Sequence, residues 1–402
     1  MDHFVVVGAG QAGQSLVTKL RSEGFEGAIT LIGQEPDPPY ERPPLSKDYL
    51  LGEMALERLY LRPVQFYADN DITLRTGVRV DAIDPAAKTV KLGDEAIAYD
   101  KLAVTTGSVP RRLPAAIGGD LGGVYTVRTL ADVDAMAPEF AQGRRVLVVG
   151  GGYIGLEAAA VAAKKGLKVT VVEMTERILQ RVAAPETSDH IRAMHQSHGV
   201  DIREGVGLVK LTGETRVDGA QLSDSTTLAV DFVVVGVGIL PDTSLAEAAG
   251  LAIENGIRVD EFSRSSEPDI FAAGDCASFP YKGGRIRLES VGNAIDQGEN
   301  AALNMMGRQQ PYIAQPWFWS DQYDLRLQIA GLNMGYDNIV TRRRSEVSVS
   351  FWYFSDDELL AVDAMNDSRS YMVARRMIAA GINPDKAAIA DPATNLKALL
   401  KG

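Results

Sequence analysis

The stretch Gly8-Ala9-Gly10-Gln11-Ala12-Gly13 directly follows an apolar run, 4–7, and is followed by a segment with a helical pattern. The stretch Gly150-Gly151-Gly152-Tyr153-Ile154-Gly155 repeats this arrangement after the apolar run 146–149. About 20 residues beyond each motif a second strand-like run ends in an acid, Glu35 or Glu173. A strand, a Gly-x-Gly-x-x-Gly turn, a helix and a second strand ending in an acid are typical of a dinucleotide-binding unit. Two such units predict two bound nucleotides and indicate electron transfer between them.

The chemistry of this motif belongs to the backbone. The first glycine permits the tight turn, the second lets the chain approach a pyrophosphate, and the third lets helix and strand pack closely. The helix N-terminus then presents free N–H groups to the phosphates. A carboxylate at Glu173 would repel a 2′-phosphate, which favours NADH over NADPH, whereas the nearby cation Arg177 weakens that inference.

Composition limits the classes of function. The chain has 402 residues and a net charge of −12, which argues against general nucleic-acid binding. Two basic patches, Arg342-Arg343-Arg344 and Arg375-Arg376, are either docking sites for an acidic protein or solvated faces. The longest apolar stretches, such as 232–240, are too short to span a membrane. The first strand begins by Phe4, which leaves no room for a secretory signal, so we expect a cytoplasmic protein without a membrane partner.

Cysteine and histidine give negative indications. The single cysteine, Cys276, cannot form an intrachain disulfide, which excludes mechanisms that store electrons in a cysteine pair of the chain. His190, His195 and His198 share a predicted helix, but no carboxylate or cysteine joins them at ligand spacing. We therefore predict a surface helix there and no metal site.

The pattern along the chain predicts alternating strands and helices, which build parallel sheets. Residues 36–47 contain five prolines between 36 and 44 and are predicted to form a rigid, irregular loop. From Pro316 the character changes to that of a small α+β domain, with strands at 347–354 and 359–365 and a helix from about Ser368 to Ala380. The other predicted elements are a helix at 14–22, strands at 4–7, 28–32, 78–83, 88–92, 101–105, 168–172, 206–211 and 227–235, and a helix at about 153–165.

Six motifs occur in order along the chain: Gly-Ala-Gly-Gln-Ala-Gly (8–13), Glu-Arg-Pro-Pro-Leu-Ser-Lys (41–47), Gly-Gly-Gly-Tyr-Ile-Gly-Leu-Glu (150–157), Ala-Gly-Asp-Cys-Ala (273–277), Glu-Ser-Val (289–291) and Trp-Phe-Trp-Ser-Asp-Gln (317–322). In this combination the chain resembles the FAD-dependent, NADH-using ferredoxin reductases of bacterial oxygenase systems. The resemblance spans essentially the whole chain. It implies an α/β, glutathione-reductase-like fold with two dinucleotide-binding domains and a C-terminal α+β domain. The implied domains are FAD-binding (1–112 and 241–315), NADH-binding (113–240) and C-terminal (316–402).

The resemblance also implies which residues bind the two cofactors, FAD and NADH. Those implied for FAD are Gly8, Gly10, Ala12, Gly13, Glu35, Lys47, Val80, Arg128, Asp275, Glu289 and Val291. Those implied for NADH are Gly150, Gly152, Ile154, Gly155, Glu173 and Gly238.

Three residues are implied in the reaction itself. Lys47 would lie near flavin N5 and O4 with Glu157 as its partner, and Trp319 would lie against the flavin. A lysine beside a flavin stabilises negative charge as the ring accepts a hydride. From the residues alone, a lysine on a loop surface is the preferred interpretation of Lys47, and the core of the small domain is the alternative for Trp319, because aromatic clusters usually indicate a core.

The function implied is NADH-dependent reduction of FAD, followed by transfer of single electrons to a [2Fe–2S] ferredoxin that supplies a cytochrome P450 or a ring-hydroxylating dioxygenase. A rubredoxin reductase remains an alternative. So does an NADH-responsive interaction module of the kind related to apoptosis-inducing factor. An NADH peroxidase or disulfide reductase is disfavoured, because Cys276 lies far beyond the second glycine motif, where such enzymes do not place their reactive sulfur.

Overall fold

The computed structural model describes residues 2–401, which divide into two compact units. Unit 1 contains the chain up to Glu41 together with 55–109 and 239–316. Unit 2 contains 42–54, 110–238 and the chain from Trp317 onward. Within residues 2–401, no helix has both the length and the apolar character that crossing a membrane requires.

Unit 1 is built on a five-stranded parallel sheet whose central strand, His3–Val7, leads into the first glycine motif. Val5 and Val6 on this strand are fully buried, Val6 in a core shared with helices Gln11–Ser22 and Val291–Met305 and Val5 in a core shared with strands Ala82–Asp84 and Thr89–Leu92. In order across the sheet, the strands are Ile270–Ala272, Lys101–Val104, His3–Val7, Ala28–Ile32 and Ile72–Arg75. The helices are Gln11–Ser22, Val64–Asp69, Ser244–Ala248 and Val291–Met305, with a 3₁₀ turn at Leu56–Arg58. Smaller sheets contain Ala82–Asp84, Thr89–Leu92 and Glu95–Ala98; Ile257–Arg258, Ala277–Tyr281 and Gly284–Ile286; and Ser108–Pro110 with Ile239–Pro241.

Unit 2 contains a second parallel sheet of the same kind, centred on Arg145–Val149. In order, its strands are Asp201–Glu204, Lys168–Glu173, Arg145–Val149, Phe232–Val235 and Val124–Thr126. An antiparallel sheet of Leu208–Thr212, Gly219–Leu222 and Thr227–Ala229 accompanies it. The helices of this part are Asp48–Leu51, Leu130–Met136, Tyr153–Lys164 and Pro185–Ser197, with 3₁₀ turns at Pro43–Ser46, Ala115–Ile117 and Ala137–Glu139.

The C-terminal part of unit 2 is a five-stranded antiparallel sheet. In order, its strands are Trp317–Gln322, Leu325–Gly331, Glu358–Met365, Val349–Ser355 and Asn338–Arg343. One face packs against Leu156 of helix Tyr153–Lys164 and Ile191 of helix Pro185–Ser197, and the other against helix Ser368–Ala380. Burial on both faces explains why the run 349–354 is entirely buried and, apart from Ser350, consists of Val and aromatic residues. Helix Lys386–Ala390 and a 3₁₀ turn at Leu396–Lys401 end the chain.

The structure corrects several of the predicted elements. The predicted strand at 78–83 begins only at Ala82. The loop 36–47 contains a 3₁₀ turn at Pro43–Ser46, because proline is tolerated in the first turn of a helix, where its missing N–H has no partner to lose. The run 227–235 is two strands separated at Val230 and Asp231. Strands Leu325–Gly331 and Asn338–Arg343 were not predicted, although Leu325, Leu327 and Ile329 alternate with polar residues.

The prediction of a surface helix around the three histidines is wrong for His195, which is fully buried. Helix Pro185–Ser197 places Thr187, Ile191 and His195 on one face at a spacing of four, and that face packs on the C-terminal sheet. Arg342 is likewise no surface charge. It is 3 % exposed, and its guanidinium donates to the main-chain oxygens of Ile389, Asp391, Pro392 and Thr394.

Candidate functional site

The first glycine motif forms a turn that no other residue type can form. Gly8 has a φ of +112°, and a Cβ there would lie 2.2 Å from the main-chain oxygen of Thr105. A Cβ on Gly13 would lie 2.1 Å from the main-chain oxygen of Gly8. Since both obstacles are backbone atoms of a buried sheet, they cannot move aside cheaply. The close contact brings helix Gln11–Ser22 directly onto strand His3–Val7.

The N-terminus of that helix is open to a ligand. Gly10 is the N-cap residue, no side chain caps the helix, and a Cβ on Gly10 would meet no atom within 4 Å. The first N–H groups of a helix have no intrahelical partners, and they favour an anion. The residues of this cradle therefore fit a pyrophosphate, and they would hold that of FAD.

A second layer closes around the same turn in unit 1. Ala12 is 6 % exposed, and a Cβ on Gly298 of helix Val291–Met305 would lie 2.6 Å from the Ala12 main-chain oxygen. A Cβ on Gly274, which has a φ of +82°, would lie 3.0 Å from the Ala12 Cβ. The next residue, Asp275, accepts a hydrogen bond from Ser108 Oγ at 2.9 Å. Two other segments of unit 1, at Gly274 and Gly298, thus cover the start of this helix.

The remaining residues implied for FAD are distributed over both units. In unit 1, the hydroxyl of Tyr40 donates to Glu35 Oε2 at 2.5 Å. Val80 is 5 % exposed and its side chain belongs to the core, so only its main chain can face a cofactor. Glu289 pairs with Arg287 at 2.6 Å, and Val291 begins its helix. In unit 2, the main-chain oxygen of Arg128 accepts from Arg42 at 2.6 Å.

The second glycine motif repeats the turn in unit 2. Gly150 has a φ of +106°, and its Cβ would lie 2.4 Å from the main-chain oxygen of Gly236. A Cβ on Gly155 would lie 2.4 Å from the main-chain oxygen of Gly150. Gly152 is an N-cap residue without a side-chain cap, so helix Tyr153–Lys164 also offers its N–H groups to an anion. Gly238, with a φ of +98°, follows strand Phe232–Val235 on the same side of the sheet.

The acid of the second unit is fixed beside this turn. Glu173 Oε2 accepts from the Gly151 N–H at 2.8 Å, and Oε1 accepts from the N–H and the hydroxyl of Thr175, each at 2.8 Å. The guanidinium of Arg177 is bound elsewhere, to Ser188 Oγ at 2.6 Å and to the Ala183 main-chain oxygen at 2.8 Å. The carboxylate, and not the guanidinium, is therefore presented at the turn.

A buried ion pair lies in unit 2. Lys47 Nζ is 2.8 Å from Glu157 Oε2, and the same oxygen accepts from Ser46 Oγ at 2.6 Å. Ser320 Oγ donates to Glu157 Oε1 at 2.7 Å. Glu157 is 4 % exposed, and this set of three donors offsets the cost of burying its charge. Lys47 also donates to the Pro43 main-chain oxygen at 3.2 Å. Among the residues that the structure describes, the third N–H of the Lys47 ammonium has no acceptor, which leaves it for a ligand.

Helix and strand spacings bring this cluster together. Tyr153 and Glu157 lie one turn apart on helix Tyr153–Lys164, a rise of about 6 Å. Phe318 and Ser320 lie two residues apart on the facing strand, a rise of about 6.7 Å. The two spacings match, so the Tyr153 and Phe318 rings meet at 4.9 Å while Ser320 meets Glu157. The alternation in 317–322 could have shown that Ser320 faces inward, but its partner could not be inferred from the sequence.

The aromatic residue implied at the flavin lies on the opposite face of the same strand. Trp319 is half-buried and stacks on Trp317, with ring centroids 5.4 Å apart. The guanidinium of Arg375 lies 5.6 Å from the Trp317 ring. The fully buried tryptophan in the core of this domain is Trp352. Trp319 is thus available to a ligand in a way that a core residue is not.

Cys276 is chemically quiet. It is fully buried in unit 1, with Sγ 3.5 Å from the main-chain oxygens of Val104 and Ala273. Burial raises the pKa of the thiol to about 11, so the thiolate that would react is not formed near neutral pH. Cys276 is the single cysteine of the sequence, and no second sulfur exists with which it could form a disulfide within the chain.

Comparison with known proteins gives consistent matches. Residues 2–298 match the model of the pyridine nucleotide-disulphide oxidoreductase family, and residues 317–400 match that of a reductase C-terminal domain. The chain is 43 % identical to the 5,5′-dehydrodivanillate O-demethylase ferredoxin reductase subunit of a Sphingobium species, covering 99 % of both chains. It is 39 % identical to the ferredoxin–NAD(+) reductase component of the anthranilate 1,2-dioxygenase system of Burkholderia cepacia, again over 99 % of both. Among solved structures, a covalent putidaredoxin reductase–putidaredoxin complex matches at a TM-score of 0.96 and 37 % identity, covering 100 % of this chain and 98 % of that one.

Proposed function

The chain belongs to the pyridine nucleotide-disulphide oxidoreductase family, and we propose that it is an NADH-dependent, FAD-containing reductase of a [2Fe–2S] ferredoxin. That ferredoxin supplies an oxygenase, either a cytochrome P450 or a ring-hydroxylating dioxygenase. Bound FAD supplies the chemistry, because a flavin accepts two electrons together as a hydride and releases them singly. The family name includes disulfides, but this chain cannot store electrons in an intrachain disulfide, because it has a single cysteine.

The observation that carries the proposal is the pairing of two dinucleotide cradles with a single, buried cysteine. Two cradles provide for one resident and one exchanging nucleotide. Without a sulfur relay, electrons that enter through NADH leave from the flavin to an external carrier. Each of the three similar proteins described above is itself named as a ferredoxin reductase or is seen in complex with a ferredoxin-type partner.

We further propose roles for individual residues. The Gly8 cradle, with Glu35 and Asp275, holds FAD, and the Gly150 cradle, with Glu173, holds NADH. A partly buried lysine paired with a buried carboxylate is suited to stabilise negative charge developing on a flavin, so Lys47 and Glu157 assist the hydride step. Trp319 contributes an aromatic face to the flavin. The FAD-binding domain is 1–112 with 241–315, the NADH-binding domain is 113–240, and the protein acts in the cytoplasm.

The proposal is tested by NADH-dependent reduction of a panel of [2Fe–2S] ferredoxins and rubredoxins, with ionic strength varied. We expect rapid reduction of at least one ferredoxin, slower reduction of rubredoxins, and a rate that falls with added salt, because complementary charges steer association. Faster turnover with a rubredoxin would identify a rubredoxin reductase instead. Slow turnover with every acceptor, combined with a change of oligomeric state on adding NADH, would identify an interaction module.

A further inference from the structure

A chain of buried hydrogen bonds extends from Glu157 to His195 within unit 2. Ser320 Oγ donates to Glu157 Oε1 at 2.7 Å, and Gln322 Nε2 donates to Ser320 Oγ at 3.0 Å. The ring atom Nε2 of His195 lies 2.7 Å from Gln322 Oε1. None of these four side chains is more than 4 % exposed. The hydrogen bonds therefore form away from competing water.

All the donors in this chain point toward the carboxylate. Because Gln322 uses its Nε2 to donate to Ser320, its Oε1 is left to accept, and His195 must carry its proton on Nε2. Tyr323 Oη, 3.3 Å from His195 Nδ1, then donates to the other ring nitrogen. Burial lowers the pKa of His195 to about 4, so the ring is neutral at pH 7. A neutral ring with its proton on Nε2 completes the direction of the chain.

The backbone is shaped to complete this chain. Ser320 and Gln322 alternate along strand Trp317–Gln322, so both face the helices of the neighbouring domain. Tyr323, which follows, has a φ of +56°, a conformation that is unfavourable for a bulky residue and persists only where the surroundings require it. Its ring stacks on His198 at 3.7 Å and covers His195. The strained turn thus seals the end of the chain farthest from Glu157.

This series of hydrogen bonds is suited to orienting the Glu157 carboxylate and not to conducting a proton. An amide such as Gln322 keeps its two N–H protons and cannot pass one onward in its stable form. The hydrogen bonds fix the hydroxyl of Ser320, which otherwise rotates freely, so that this hydroxyl donates to Glu157 Oε1. With Oε1 bound in this way, Oε2 is aimed at Lys47 and Ser46.

We propose that His195, Gln322 and Ser320 form a positioning relay that fixes Glu157, and through it the Lys47 ammonium, for reduction of the flavin by NADH. The inference rests on the role proposed above for Lys47. None of the three residues contacts the reacting atoms in this scheme; each acts through the next.

The relay itself is tested by ¹⁵N NMR of protein labelled at histidine, which is tractable because the chain has only four histidines. We expect His195 to be neutral with its proton on Nε2 throughout the neutral pH range. We also expect Ser320→Ala to shift the His195 Nε2 signal, although Gln322 lies between the two residues. A proton on Nδ1, or a signal that Ser320→Ala leaves unchanged, would overturn the relay without any appeal to activity.

Its function is tested by stopped-flow reduction of the holoenzyme. Ser320→Ala should lower the limiting rate constant of flavin reduction about tenfold, the scale of a lost hydrogen bond to a charged group, with the KM for NADH unchanged. Ser320→Thr keeps the hydroxyl and should recover most of the rate. His195→Gln, which keeps a donor, should likewise exceed His195→Leu. Thr187→Val removes a buried hydroxyl from the same helix face two turns away and should leave the rate unchanged.

The variant Lys47→Ala, measured in parallel, distinguishes failure of the relay from failure of the role proposed for Lys47. If Lys47→Ala slows flavin reduction and Ser320→Ala does not, the relay is wrong while the proposed function stands. If Lys47→Ala leaves the rate unchanged, the proposed role of Lys47 fails and the relay fails with it. Equal slowing by Ser320→Ala and Ser320→Thr would also reject the relay, because the hydroxyl would then be irrelevant.

Discussion

The two glycine turns are nearly identical in backbone, yet their surroundings differ. Both leave a helix N-terminus without a side-chain cap, and both have the third glycine pressed against the main-chain oxygen of the first. The residue two positions after the N-cap is Ala12 in unit 1 and Ile154 in unit 2. Ala12 is 6 % exposed beneath Gly274 and Gly298, whereas Ile154 is 43 % exposed. The start of the helix is therefore covered in unit 1 and exposed in unit 2, although the glycines of the two turns differ little in exposure.

We expect this difference to separate a resident cofactor from an exchanging one, as the proposed assignment of the two cradles requires. The closer packing of unit 1 around the start of its helix should slow the dissociation of a nucleotide. The exposed start of the helix in unit 2 should let a nucleotide enter and leave in each catalytic cycle. The motif itself determines that a dinucleotide binds, and the layer around it determines for how long.

The largest effect is expected from placing a methyl group in each turn. Gly13→Ala puts a Cβ 2.1 Å from the Gly8 oxygen and should yield protein almost free of FAD. Gly155→Ala creates the corresponding clash at 2.4 Å and should retain FAD while losing reduction by NADH at ordinary concentrations. The ratio of flavin to protein absorbance and an NADH titration measure the two outcomes.

Gly284→Ala in unit 1 and Gly207→Ala in unit 2 are matched controls, because their nearest contacts, at 3.8 Å and 3.5 Å, are ordinary. Full FAD content in Gly13→Ala, or loss of FAD in Gly155→Ala, would reverse the assignment of the two cradles.

The second largest expected effect is a pH dependence of stability that is confined to unit 2. Asp363 in unit 2 is fully buried and accepts hydrogen bonds from Thr187 and Tyr353. Burial raises its pKa to about 6, above the ordinary value of 3.8, although both hydrogen bonds oppose this. The folded state thus favours the protonated form, so the contribution of Asp363 to stability is greatest below pH 3.8 and is lost as pH rises through 6. Relative to Asp363→Asn, the wild-type free energy of unfolding should fall by about 2 kcal/mol between pH 4 and 7.

The two units offer separate probes for that measurement. All three tryptophans, Trp317, Trp319 and Trp352, lie in unit 2, so their emission follows its unfolding. Fluorescence of released FAD follows unit 1. The pH effect is expected in tryptophan emission, and an equal shift in FAD release would contradict its assignment to one unit.

The choice of nicotinamide cofactor should change by about tenfold. Glu173→Gln removes the charge that repels a 2′-phosphate while keeping an oxygen for the Gly151 N–H. The ratio of kcat/KM for NADH to that for NADPH should therefore fall about tenfold. Glu176→Gln, three residues along and exposed, should leave the ratio unchanged. An unchanged ratio in Glu173→Gln would show that discrimination lies elsewhere in the Gly150 cradle.

The smallest effect is expected at the cysteine. Cys276→Ser keeps a small hydrogen-bonding side chain in a fully buried position of unit 1. Turnover with ferredoxin should stay within about twofold, because burial keeps the thiol protonated and unreactive. A large loss of turnover with FAD still bound would contradict the proposal that electrons pass from the flavin to the ferredoxin without participation of the thiol.

The sequence allowed the cradles to be predicted more fully than the cluster around Glu157. Glycine motifs act through local backbone geometry, so Gly8 and Gly150 and their helices could be inferred from nearby residues. The contact between Ser320 and Glu157 joins segments 163 residues apart, and no local pattern specifies it. His195 shows the same limit, because polar residues on a helix are ordinarily solvated. Only the fold shows that this face is covered by a second sheet.

The strand order of the first sheet also bears on synthesis. Strand Ile270–Ala272 and helix Val291–Met305 complete unit 1, yet they follow the whole of strands Val124–Thr126 to Phe232–Val235 in the chain. Because domains form as the polypeptide emerges from the ribosome, the second nucleotide sheet can assemble while the first still lacks an edge. Translation must therefore pass residue 305 before unit 1 is complete. If FAD binds to unit 1 as proposed, the cofactor expected to stay longest is the one whose site is completed later.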